Sequence, residues 1–94
     1  VYPRPVAAEV AGADGAPVGV TGRCAMTAAP ARVSVAGARW AEVVAWTGPW
    51  PLDERWWDGP ARRRQARLQV VLADGSAWLL ALMGGRWWAE ASYD

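Results

Sequence analysis

The chain of 94 residues has no histidine, no phenylalanine, no lysine and a single cysteine. Without histidine, the usual general base, nucleophile activator and imidazole metal ligand are all absent. One cysteine cannot close an internal disulfide. Cys24 stands between Arg23 and Ala25 with no second thiol and no acidic cluster beside it, so it fits neither a zinc site nor a thioredoxin-like pair. It reads instead as a small, largely buried and unreactive hydrophobe. A free thiol in a sequence without a signal peptide or a long apolar span predicts a reducing, cytoplasmic setting. No glycine-rich phosphate loop is present, and Gly84-Gly85 reads as a hairpin turn. Asp53, Glu54 and Asp58 are close in sequence, but each has an arginine nearby, so they read as ion pairs or the start of a helical turn. The expectation is a non-enzymatic chain with no cofactor and no metal.

What the sequence does have is tryptophan, with eight Trp beside two Tyr. A single domain of this length buries only roughly 60–65% of the surface it exposes when unfolded, so large rings must supply much of the core. Glycine and proline recur every few residues and interrupt any sustained helical period. The reading is all-β, a small antiparallel β-barrel or roll of about six to seven strands over one domain, residues 1–94. Candidate strands are Pro5–Ala11, Pro17–Thr21, Ala31–Val35, Arg39–Trp46, Gln65–Leu72, Ala77–Met83 and Arg86–Ser92. Turns fall at Ala13-Asp14-Gly15, Ala36-Gly37, Asp74-Gly75 and Gly84-Gly85.

The C-terminal meander can be tested for register because strand faces alternate. A two-residue turn at Gly84-Gly85 places Trp78, Leu80 and Leu82 on one face with Trp87, Ala89 and Ala91. A three-residue loop at Ala73-Asp74-Gly75, with a bulge at Gly75, adds Leu68 and Val70; a two-residue loop would instead put Arg67 and Gln69 there. The opposite face then carries Val71, Leu79, Ala81, Met83 and Trp88 beside Arg67, Gln69 and Glu90, which is too apolar for water. Either the N-terminal strands fold over that second face, or part of it receives a partner.

Residues 47–64 read as an irregular crossover loop, because Pro49, Pro51 and Pro60 forbid a continuous strand or helix, with room for one helical turn at Leu52–Trp57. Its rings and its arginines define the candidate partner site: Trp50, Arg55, Trp56, Trp57, Arg62, Arg63 and Arg64, joined by Trp88, whose neighbour Trp87 must point the other way. Two readings of the rings stay open, a cluster capping the barrel end and an exposed anchor. Exposed Trp beside Arg serves protein–protein hot spots, and it serves OB-like stacking of single-stranded nucleic acid. A net charge of +1 disfavours the second use.

Three stretches resemble a known family. Trp46-Thr47-Gly48-Pro49-Trp50-Pro51-Leu52-Asp53-Glu54-Arg55-Trp56-Trp57-Asp58, Arg62-Arg63-Arg64 through Arg67-Leu68-Gln69-Val70-Val71, and Gly85-Arg86-Trp87-Trp88-Ala89-Glu90-Ala91-Ser92-Tyr93-Asp94 are similar to the C-terminal tail domain of ImuB proteins. The N-terminal forty residues are similar only loosely, through Pro5-Val6 and Gly19-Val20-Thr21-Gly22-Arg23. The resemblance implies a hub in damage-induced (SOS) mutagenesis and translesion synthesis, built on a Y-family polymerase-like protein that has lost its catalytic acids. It implies the RecA-like ImuA or ImuA-prime accessory protein as first partner and the error-prone C-family DNA polymerase as second. The sliding clamp would be engaged only through upstream regions of the family, and no membrane is involved.

Because arginine is balanced by acids, the domain is expected to bind single-stranded DNA weakly or not at all at physiological salt. Fluorescence anisotropy with a labelled oligonucleotide checks this. Micromolar binding that weakens steeply with salt would contradict it.

Overall fold

The computed structural model describes residues 5–21, 23–51 and 65–93. Six antiparallel strands follow one another around a closed barrel: β1 (Val6–Ala11), β2 (Arg32–Val35), β3 (Ala41–Pro51), β4 (Ala66–Leu72), β5 (Ala77–Met83) and β6 (Arg86–Tyr93), with β6 pairing back to β1. No helix occurs among the described residues. The sequential order is a meander, whereas an OB-fold follows a Greek key.

Strict alternation builds the wall. On β4, Ala66, Leu68, Val70 and Leu72 are buried while Arg67 and Gln69 face out, as a period of two requires. Opposite them lie Leu80 and Leu82 of β5 and Trp87 and Ala89 of β6, with Ala8, Val10 and Val33 completing the interior. The Trp87 indole N–H donates to the Val18 carbonyl at 2.8 Å, which satisfies the ring's only polar atom inside the core.

The turns carry the register. Met83 pairs with Arg86, and Gly84 and Gly85 take φ of 61° and 77°, the double left-handed conformation of a two-residue hairpin. The three-residue loop at Ala73-Asp74-Gly75 is present: Leu72 N–H donates to Ser76 O at 2.8 Å, and Leu68 pairs with Leu80. The same device occurs at Ala13-Asp14-Gly15, where Gly12 N–H donates to Ala16 O at 3.0 Å. In both loops the aspartate accepts the backbone N–H two residues on, at 2.9 Å in Ala16 and 2.8 Å in Ser76. Bonds from the Ser76 hydroxyl and N–H hold the Asp74 carboxyl below its usual range.

Four expectations are corrected. Pro17–Thr21 is not a strand; it makes only the isolated bridges Ala11↔Pro17 and Val20↔Met26, because Pro17 has no N–H with which to extend a ladder. β3 does not stop at Trp46 but continues to Pro51, so 47–51 belong to the wall and not to an irregular loop. Its prolines are tolerated because β2 pairs with β3 only at Ala41 and Glu42, which leaves the rest of β3 an edge among the described residues. A register shift between Leu79 and Leu80 leaves Glu90 without a partner and brings Ala91 opposite Leu79, so Ala91 does not share a face with Ala89. Finally, the N-terminal strands close around the first face and not over the second, so Leu79, Ala81 and Trp88 lie on the exterior.

Neighbours on β5 therefore differ in consequence. Leu80→Ala, inside the barrel, is expected to destabilise by about 2–5 kcal/mol, whereas Leu79→Ala, outside and half-buried, should cost about 1 kcal/mol. Urea titrations of the two variants decide it, and equal losses would mean that the faces are assigned wrongly. Gly48 has φ of 116° and a Cβ there would meet the Arg67 carbonyl oxygen at 3.0 Å, so Gly48→Ala should also destabilise.

Candidate partner-binding surface

Cross-strand pairing sets the exterior side chains in rows, since residues directly opposite share a face. One row crosses four strands and reaches a fifth: Trp50 on β3 pairs with Arg67 on β4, Arg67 with Ala81 on β5, Ala81 with Trp88 on β6, and Trp88 with Ala7 on β1. Trp50 and Trp88 thus stand three strand spacings apart, about 14 Å along the wall. The small side chain of Ala81 lets Arg67 reach across β5, where its Nε donates to Glu90 Oε1 at 3.0 Å. The unpaired position of Glu90 aims its carboxylate at that guanidinium. The pair is half-exposed and contributes about 0–1 kcal/mol, so it orients the row more than it stabilises the fold. Trp88 is half-buried and its Nε1 donates to the Met83 carbonyl at 3.3 Å, which fixes the ring.

All the large hydrophobic side chains exposed among the described residues fall between positions 40 and 50: Trp40 at 49%, Val44 at 59%, Trp46 at 39% and Trp50 at 43%. Register puts Trp46 on the face of the buried Val70, yet it stays exposed because β2 has ended below it. Bulges between Val43 and Ala45 and between Thr47 and Trp50 twist this edge. Charge on the described surface is balanced, with Arg23, Arg32, Arg39, Arg67 and Arg86 against Glu9, Asp14, Glu42, Asp74 and Glu90.

Of the residues singled out from sequence, Trp50 and Trp88 come onto one row. Arg55, Trp56, Trp57, Arg62, Arg63 and Arg64, with the suggested helical turn at Leu52–Trp57, lie outside the described residues. Sequence reasoning missed Trp40, Trp46 and the Arg67–Glu90 pair. The signal for Trp46 was its place two residues from Val44, but recognising exposure required knowing that β2 is short. Cys24 is half-buried and not largely buried: it has φ of 58° and its Sγ lies 3.9 Å from the Pro49 carbonyl oxygen, so it joins the β1–β2 connection to β3.

No family model, no curated protein and no solved structure matches the chain. Among the described residues no helix is long and apolar enough to cross a membrane, and no group of three or more His, Cys, Asp or Glu could hold a metal ion.

Burial pushes the Cys24 thiol above its ordinary pKa. Thiolate, the reactive species, is correspondingly scarcer, so labelling of Cys24 in the folded chain should reach half its maximal rate at a higher pH than in the urea-unfolded chain. Coincident pH profiles would show that the thiol is not desolvated.

Proposed function

We propose that the chain is a non-catalytic protein–protein interaction module of an ImuB-like translesion-synthesis adaptor, acting in the cytoplasm during DNA damage-induced mutagenesis. The RecA-like ImuA or ImuA-prime accessory protein is the first partner and the error-prone C-family polymerase the second. The observation that carries the reading is the confinement of every exposed large hydrophobic among the described residues to 40–50, at and along β3, whose far edge beyond Glu42 has no ladder partner among the described residues. An edge strand with Trp and Arg beside it offers backbone groups for strand addition and rings for anchoring. The similarity of 46–58, 62–71 and 85–94 to ImuB tails supplies the partner class.

Stacking of single-stranded DNA on Trp50 and Trp88 is the second reading. It ranks lower because Arg67, the cation between them, is already bonded to Glu90 and the described charges cancel.

Trp50→Ala separates a binding ring from a structural one. The variant should keep its melting temperature while losing about 2 kcal/mol or more of affinity for the RecA-like accessory protein. Trp87→Ala, which removes a core ring, should instead destabilise the fold by about 3–5 kcal/mol. Full affinity in Trp50→Ala would move the contact elsewhere on the wall.

A further inference from the structure

Along β1 lies a groove of about 650 Å³; Glu9, Trp40, Arg86 and Trp88 line its outer part, and the core residues Val10, Val18 and Trp87 border it as well. Its volume is within the range of small-ligand sites, yet its walls are aromatic and its floor small. Ala7 pairs with Trp88, so Glu9, two residues on, stands diagonal to that indole on the same face. Ala36 N–H donates to the Ala7 carbonyl at 2.7 Å, and Ser34 Oγ donates to the Ala38 carbonyl at 2.7 Å. These bonds tie the β2–β3 turn to β1 and hold the chain that brings Trp40 to the groove. Continuing the β1–β6 register by one residue brings Arg86 beside Glu9, but the two make no ion pair in the structure. A carboxylate that makes no ion pair among the described residues therefore lines the same groove as two indoles, one exposed and one held by its N–H bond.

We propose that this groove receives an arginine side chain from a protein partner. A guanidinium is planar, stacks on indole faces through cation–π attraction and donates two parallel hydrogen bonds to a carboxylate, and the groove supplies two indoles and a carboxylate. Arg86 at the rim donates to a carbonyl oxygen of the same segment. A nucleic-acid strand is disfavoured because Glu9 would face its phosphates. The site goes beyond the adaptor reading and does not depend on which protein binds the β3 edge.

The probe is the blocked tripeptide acetyl-Gly-Arg-Gly-amide, titrated into the 15N-labelled chain with the indole N–H resonances as readout. The Trp40 and Trp88 signals should shift and saturate, and the isosteric neutral citrulline peptide should bind at least about tenfold more weakly. Glu9→Gln should reduce arginine-peptide affinity by a similar factor with an unchanged melting temperature, because Glu9 is exposed. Trp40→Ala gives a second variant that tests the stacking wall without touching the carboxylate. Equal binding of the citrulline peptide, or full affinity in both variants, overturns the proposal. So does an oligothymidylate that shifts the same two indoles and loses its affinity in Arg86→Gln. Pull-down of the accessory protein is scored separately, so failure of either site leaves the other standing.

Discussion

The bond from the Trp87 indole to the Val18 carbonyl decides how this barrel is filled. A meander of six short strands encloses little volume, and its largest fully buried side chains are Leu68, Leu80, Val33 and Val70. An indole adds the bulk they lack, but its N–H would be an unsatisfied donor in an apolar interior, at a cost of about 1–3 kcal/mol. The acceptor comes from outside the wall, from the connection between β1 and β2. That connection is consequently part of the core: Val18 is buried with the barrel residues, and Val20, Cys24 and Met26 pack against the core cluster.

Committing the β1–β2 connection to the core has a consequence at the neighbouring strands. The long excursion returns to the wall only at Arg32, and β2 then has four residues before the turn at Ala36-Gly37. β3, eleven residues long, outruns it. The exposed stretch of β3 is an edge of the kind that pairs indiscriminately with other chains unless it is interrupted. Pro49 and Pro51 withdraw N–H donors from it, and the two bulges break its pleat. Among the described residues, what stays without a ladder partner on that side and still carries N–H donors is a short run around Val44–Thr47, which on the proposed reading suits a selective partner better than open-ended aggregation.

The parts of the fold legible in sequence are those whose information is local. Ala73-Asp74-Gly75 and Gly84-Gly85 contain their own turn chemistry, and the face of each flanking residue follows by counting. The positions that resisted reading depend on what lies across the sheet. Pro49 and Pro51 argue against a strand until it is known that, among the described residues, β3 has no ladder partner on the β2 side there. The extra residue Glu90 leaves no mark in the sequence, since it is set by the pairing of Leu79 and Leu80. The apolar second face suggested a cover by the N-terminal strands that the fold does not provide. It needs no covering sheet, because Trp88 and the Arg67–Glu90 pair lie over Ala81, which is fully buried although it faces outward. For the candidate site the split is similar. Trp50 and Trp88 were found as residue types, whereas their alignment through Arg67 and Ala81 is a property of register.

That alignment bears on how the surface can act. Arg67, Ala81 and Trp88 are carried by strands laddered on both sides and Trp50 by a strand laddered to β4, so the row from Trp50 through Arg67 and Trp88 to Ala7 is set before any partner arrives. Preorganised rings lose little freedom on binding, and the bond from Trp88 to Met83 removes more of what remains. The row also runs from the open β3 edge at one end to the groove over β1 at the other. On the proposed reading, a partner that adds a strand at the edge would meet Trp50 at the start of this row. One that inserts a side chain at the groove meets the same fixed indole from the other side. Trp88 would serve both proposed approaches, and the two-residue turn before it and the Trp87 anchor beside it hold β6 in place for either.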